Sequence, residues 1–112
     1  MKKKYRMVAF SAPVAGKEDE FNKWTLNVHI PEVVSAYGFK GAQRFKLGMA
    51  LAGNSLPYMT IYDIETDDIG KSMGEVGQKA TTRSDALDYA GASAIVYEEV
   101  DHYVKHGDPV KR

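Results

Sequence analysis

The chain has 112 residues, 44% of them hydrophobic, with 15 Lys+Arg against 15 Asp+Glu and no cysteine. A chain this short forms one small domain and buries about two-thirds of its unfolded surface, so any ligand cavity is small or shared. Without cysteine there is no disulfide framework, iron–sulfur site, thiolate zinc site or cysteine nucleophile. Balanced charge and a sequence pI near 6.8 offer no general attraction to nucleic acid.

The basic cluster Lys2 to Lys4 with Arg6 is followed by Ser11, Pro13, Gly16 and the charges of Lys17 to Glu20, not by an apolar signal-peptide core. No stretch approaches the ~20 apolar residues of a membrane-spanning helix. A soluble cytoplasmic protein with no membrane partner is the expectation.

Tyr5 to Ser11 reads as a first strand, stopped by Ala12, Pro13 and Gly16. Glu18, Asp19 and Glu20 then place three acids where a helix dipole favours negative charge, and Phe21, Trp24 and Val28 recur at i, i+3, i+7. Pro31 lacks an N–H, so this helix should kink or restart near His29 and Ile30 before running through Val33 and Val34 to end at Tyr37 and Gly38. Phe39 to Leu47 alternates as a second strand, with Phe39, Gly41, Gln43, Phe45 and Leu47 on one face. Gly48 to Leu56 reads as a hairpin loop, and Tyr58 to Glu65 as a third strand with Tyr58, Thr60, Tyr62 and Ile64 together.

Ile69, Met73, Val76 and Ala80 predict a second amphipathic helix. It holds Gly70, Gly74 and Gly77, each costing about 1 kcal/mol relative to alanine, which predicts close approach to the sheet or room for a ligand. Thr81 to Ala92 reads as a linker with a short helical turn around Asp85 to Tyr89, and Ser93 to Tyr103 as a fourth strand. The order β-α-β-β-α-β, with no internal repeat or boundary, predicts a single α+β domain over residues 1–112. It should be a ferredoxin-like, four-stranded antiparallel sheet with both helices on one face. Apolar residues on both faces of the strands leave the second face in need of a cover, and a second copy of the chain is the simplest one.

Several motifs fail on inspection. Gly70-Lys71-Ser72 echoes a phosphate-binding loop, but Glu65 stands where the first glycine belongs. Asp63, Glu65 and Asp67 have calcium-loop spacing, yet Asp68 and Gly74 occupy the positions of the required glycine and glutamate. His102 and His106 lie in a strand end and a Gly107-Asp108-Pro109 tail, a poor metal site. No metal is expected.

His29 stands apart. Counting about 100° per residue from Phe21 puts Trp24 near 300°, Thr25 near 40° and His29 near 80°, so His29 borders the apolar stripe beside Thr25. Imidazole exchanges protons near neutrality, so a histidine at the rim of an aromatic cavity can serve as acid or base, with Glu32 placed to orient it. The plainer alternative is a histidine bonded to carbonyls freed by Pro31. Phe10, Trp24, Phe45, Tyr58, Tyr62, Tyr97 and Tyr103 can line a cavity between sheet and helix suited to a planar hydrophobic ligand.

The runs Phe10 to Trp24, His29-Ile30-Pro31-Glu32-Val33-Val34, Gly38-Phe39 and Ala42-Gln43-Arg44-Phe45, with Tyr58 to Glu65 as third strand, resemble the EthD-like branch of the dimeric alpha-beta barrel superfamily over the first two-thirds of the chain. The resemblance implies a homodimer whose sheets face each other, with a pocket in each subunit. It implies cofactor-independent chemistry on a small aromatic or polyketide-like molecule, of lyase, isomerase or cyclase type. His29 would then be the acid/base residue, Tyr62 or Tyr97 a hydrogen-bond donor to a carbonyl or phenol, and Phe10, Trp24, Thr25, Phe45 and Tyr58 the binding walls. A cofactor-independent monooxygenase, or a non-catalytic binding or dimerisation module, are the alternatives.

Overall fold

The computed structural model describes the whole chain, Met1–Arg112. Its elements are β1 (Lys3–Ser11), α1 (Glu18–Trp24), a π-helical turn (Thr25–His29), α2 (Ile30–Val34), β2 (Phe39–Lys46), β3 (Tyr58–Thr66), α3 (Ile69–Lys79) and β4 (Ser93–Glu98). The strands form one antiparallel sheet in the order β2-β3-β1-β4. This is the ferredoxin-like α+β arrangement that the element order predicts.

Register decides what each face carries. Ala42, Tyr62, Met7 and Val96 form one row across the sheet, and Arg44, Thr60, Ala9 and Ala94 form the next, all on the helix-covered side. Met7, Tyr62 and Ile64 pack with Val33 of α2, joined by Ile30, Ile69, Met73 and Val76. A second cluster joins Phe21, Tyr58 and Ala86, with Leu87 against it. Phe21 is 1% exposed, so truncating it to alanine would cost about 3–5 kcal/mol.

The opposite face carries Phe45, Met59 and Phe10 in one row, Gln43, Ile61, Val8 and Ile95 in the next, and Asp63, Arg6 and Tyr97 beyond, with Arg6 paired to Asp63 at 3.3 Å. No helix lies over it. The chain spans 49 × 36 × 21 Å with a radius of gyration of 15.9 Å, against about 13 Å for a compact chain of this length. The β2–β3 loop leaves Met49 and Leu51 exposed, and the segment after β4 leaves Val100, Tyr103 and Val104 exposed.

Four expectations need correction. The strand period breaks at a bulge between Phe39 and Gly41, which leaves Phe39 on the helix side and sends Phe45 to the open face. The fourth strand stops at Glu98, opposite Tyr5 and short of Tyr103; past it only the Glu99 N–H still bonds to β1, at the Lys4 carbonyl. The linker forms no helical turn at Asp85 to Tyr89. Instead, Leu87 bridges Pro13 while Val14 and Asp88 exchange backbone hydrogen bonds with Ala86 and Ala12. Nor do the α3 glycines approach the sheet, since a Cβ at Gly74 or Gly77 would meet nothing within 4 Å and at Gly70 only the Asp68 carboxylate, at 3.5 Å.

Candidate functional site

The helical segment between β1 and β2 is interrupted where Pro31 requires it. Pro31 cannot donate to the preceding turn and its ring would crowd the carbonyl of Asn27, so Thr25–His29 widens into a π-helical turn, closed by the Ile30 N–H on the Thr25 carbonyl. α2 then restarts with Pro31 in its first turn, where a missing N–H is harmless. The α-helix is interrupted at His29 and restarts at Ile30 as expected, by way of an added residue in the turn.

That turn changes which side chains meet. In a regular helix, residues five apart point about 140° away from each other, and the widened turn brings them back into line. The His29 imidazole consequently stacks on the Trp24 indole, with ring centroids 4.8 Å apart and planes 20° from parallel. Thr25, buried at the start of the same turn, donates its hydroxyl to the Phe21 carbonyl at 2.7 Å.

Beneath the stack lies a cavity of about 250 Å³. Its floor is the row Thr60, Ala9 and Ala94, whose small side chains leave space that Tyr62, Met7 and Val96 fill in the adjacent row. Its roof is Phe21, Trp24, Thr25 and His29, and Leu87 and Ala92 of the linker close one side. The linker is held in place by Glu32, whose carboxylate accepts from the Thr82 backbone N–H at 3.2 Å and the Thr82 hydroxyl at 2.6 Å. Glu32 therefore does not orient His29 through a hydrogen bond, contrary to expectation.

Burial pushes the His29 imidazole below its ordinary 6.5, and the Glu32 charge nearby offsets this only in part. His29 is accordingly neutral at pH 7, able to accept a proton. Burial also pushes the Tyr62 hydroxyl up to about 12, with Arg44 opposing the shift, so Tyr62 keeps its proton and can only act as a hydrogen-bonding phenol. The Nε1 of Trp24 and the Nδ1 of His29 are both buried without a hydrogen-bond partner. No cluster of three or more His, Asp or Glu side chains is gathered to hold a metal ion.

Of the residues singled out from sequence, the structure brings Trp24, Thr25, His29 and Tyr62 around one cavity, with Phe10 at its border although register puts Phe10 on the open face. It does not bring in Tyr58, Phe45, Tyr97 or Tyr103, the last of which is 87% exposed beyond β4. Tyr58 lies beyond Phe21, its ring 5.3 Å from Phe21 and its hydroxyl bonded to Glu18. Phe45 and Tyr97 stand on the open face, 41% and 59% exposed. Tyr97 is thereby separated from His29 by the sheet itself.

Ala9, Ala94, Leu87 and Ala92 are lining residues that pattern reading missed. The signal is the pairing of Ala9 with Ala94 across β1 and β4, which becomes visible once the register is known.

No family model and no curated protein matches the chain. Among solved structures it is similar to an ethyl tert-butyl ether D (EthD) family protein from Bacillus halodurans C-125, with a TM-score of 0.57 and 15% identity, over 87% of this chain and 99% of that one. The chain is thus EthD-like in fold, in agreement with the family that its first two-thirds resemble.

Proposed function

We propose that the chain is an enzyme that needs no cofactor and performs proton-transfer chemistry on a small hydrophobic, aromatic or polyketide-like molecule held against Trp24, with His29 as the acid/base residue. The reading rests on one observation: a neutral imidazole, stacked on an indole, at the roof of a cavity between helices and sheet. A histidine kept unprotonated by burial is a competent base near neutral pH.

In this reading His29 removes a proton from an O–H group or from a carbon next to a carbonyl. The electron pair left behind moves toward the carbonyl oxygen, which accepts a hydrogen bond from the Tyr62 hydroxyl. The imidazolium then returns the proton to a different atom, giving isomerisation, or to a departing oxygen, giving elimination. Lyase or isomerase chemistry accounts for both without a further reactant.

The working unit is proposed to be a homodimer in which the open sheet faces of two copies cover each other. The paired apolar rows of that face support this, because an apolar patch of this extent on a monomer is ordinarily an interaction surface.

Replacing His29 by alanine should abolish turnover of any accepted substrate while leaving the fold and the mass in solution unchanged. Retained turnover in that variant would defeat the catalytic assignment. A second reading, a non-catalytic binder of the same ligands, is favoured by the engagement of Glu32 with Thr82, which leaves His29 without a carboxylate to orient it. Saturable binding with no turnover in the unaltered protein would decide for it.

A further inference from the structure

We infer that the Thr60 and Tyr62 hydroxyls together hold a ligand oxygen that carries or develops negative charge, with Arg44 beside them as its counter-charge. The ligands are then phenols, enols and 1,3-dicarbonyl compounds. This rests on the proton-transfer reading of the cavity, and adds the ligand class, Thr60 as a binding residue and Arg44 as a positioning residue.

The two hydroxyls come from neighbouring rows of the covered sheet face, and both residues line the cavity. Thr60 is 5% and Tyr62 1% exposed, yet neither hydroxyl is bonded within the chain. The unbonded Trp24 Nε1 and His29 Nδ1 are sealed off from open space, whereas these two oxygens are not. A buried donor without a partner weakens the state that contains it, so a ligand oxygen that meets both hydroxyls removes a deficit.

Charge follows from register. Arg44 pairs directly with Thr60 across β2 and β3, on the same face, where opposed Cβ atoms stand about 5 Å apart. Arg44 belongs to no ion pair. Its guanidinium donates to Asn22 at 2.9 Å, lies over the rings of Tyr58 and Phe21 at 4.8 and 5.5 Å, and leaves its Nε buried without a partner. Glu18, in the same cluster, is engaged by the Tyr58 hydroxyl and by Lys46 at 3.9 Å. Burial pulls the Arg44 pKa down, and Arg44 in turn opposes the rise at Tyr62, so its field reaches a residue of the cavity wall. A cation held out of water without a carboxylate favours a negative charge placed nearby.

The arrangement suits the chemistry assigned to His29. When the imidazole takes a proton from a carbon next to a carbonyl, the electron pair moves onto the oxygen, where fixed donors and a fixed cation stabilise it. A phenol or enol brings the same oxygen with its proton still to lose. Size adds a limit: a cavity of roughly 150 Å³ holds benzene, so 250 Å³ admits one substituted ring.

The test uses 4-nitrophenol, whose ionised form is yellow, and 4-nitroanisole, its methyl ether, which cannot ionise. Absorbance titration across neutral pH gives the affinity of each and the pH at which bound nitrophenol ionises. In Arg44→Gln that ionisation should move up by about one pH unit, while Arg44→Lys retains most of the parent value and the ether binds equally to all three proteins. Thr60→Val and Tyr62→Phe should each weaken the phenolate by about tenfold or more. An ionisation unmoved in Arg44→Gln would overturn the counter-charge, and phenolate affinity unchanged in both hydroxyl variants would overturn the oxygen site. Binding of the ether without the phenol would overturn the ligand class and leave the cavity as a ligand site. Binding of neither compound to the parent chain would defeat the reading of the cavity itself.

Discussion

The imidazole of His29 lies 4.8 Å from the indole of Trp24 and almost parallel to it, although the two residues are five apart and would diverge on a regular helix. The π-helical turn between them, imposed by Pro31, is what aligns them. A helix defect and a candidate catalytic pair are therefore one feature.

Its first consequence is a pH dependence. Burial holds the His29 pKa below 6.5 in the folded chain, so the unfolded chain binds the proton more readily. Stability conferred by neutral His29 is complete above about pH 6.5 and is lost as pH falls from there toward the lower, folded value. NMR titration of the imidazole should show a midpoint below 6.5. In urea unfolding between pH 7 and pH 5.5, His29→Gln should flatten the decline, and an equal slope in both proteins would refute the burial argument.

Glu32 and Thr82 give a prediction about the linker. Two hydrogen bonds from Thr82 to one carboxylate tie α2 to the segment that carries Leu87 and Ala92 along the cavity. Both partners are solvent-accessible, so Glu32→Ala should cost only about 1 kcal/mol. Amide hydrogen exchange should nevertheless quicken across residues 82–92, with the β-sheet unaffected. Exchange unchanged there would mean that the bridge between Pro13 and Leu87 holds the linker alone.

Gly38 follows the helical segment with φ of +82°, and a Cβ added there would sit 2.7 Å from the Thr66 Cβ and 3.1 Å from the Glu65 carbonyl oxygen. Thr66 cannot yield easily, because its hydroxyl accepts from buried Ser72 at 2.9 Å and from the Asp68 backbone at 3.1 Å, at the start of α3. Strain and displacement together should make Gly38→Ala about 2–3 kcal/mol less stable. A thermal midpoint within a degree or two of the parent would show that the turn relaxes.

The strands, helices and their order were legible because hydrophobic period survives in a single sequence: Tyr58, Thr60, Tyr62 and Ile64 do share the covered face. What was not legible depends on single-residue insertions. One bulge after Phe39 moves Phe45 to the far side of the sheet, and one extra residue in the helical turn rotates His29 onto Trp24, so a count of 100° per residue finds the right residue and the wrong neighbour. Tyr97 fails for a related reason. Strand alternation says that it and Val96 face opposite ways, but only the pairing of Val96 with Met7 says which of them meets the helices.

That same register supplies the last prediction. Ile95 stands on the open face of edge strand β4, 47% exposed in a single chain. Replacing it by aspartate removes little buried surface from the isolated fold, so the thermal stability of a monomer should change by under about 0.5 kcal/mol. In a dimer with sheets face to face, the same charge is buried against the partner's apolar rows and should weaken association by at least about tenfold. Sedimentation velocity at micromolar concentration separates the cases: the parent chain should sediment as a dimer and Ile95→Asp should shift toward monomer. A parent chain that is monomeric, or a variant that remains as dimeric as the parent, would mean that this face is not the one covered.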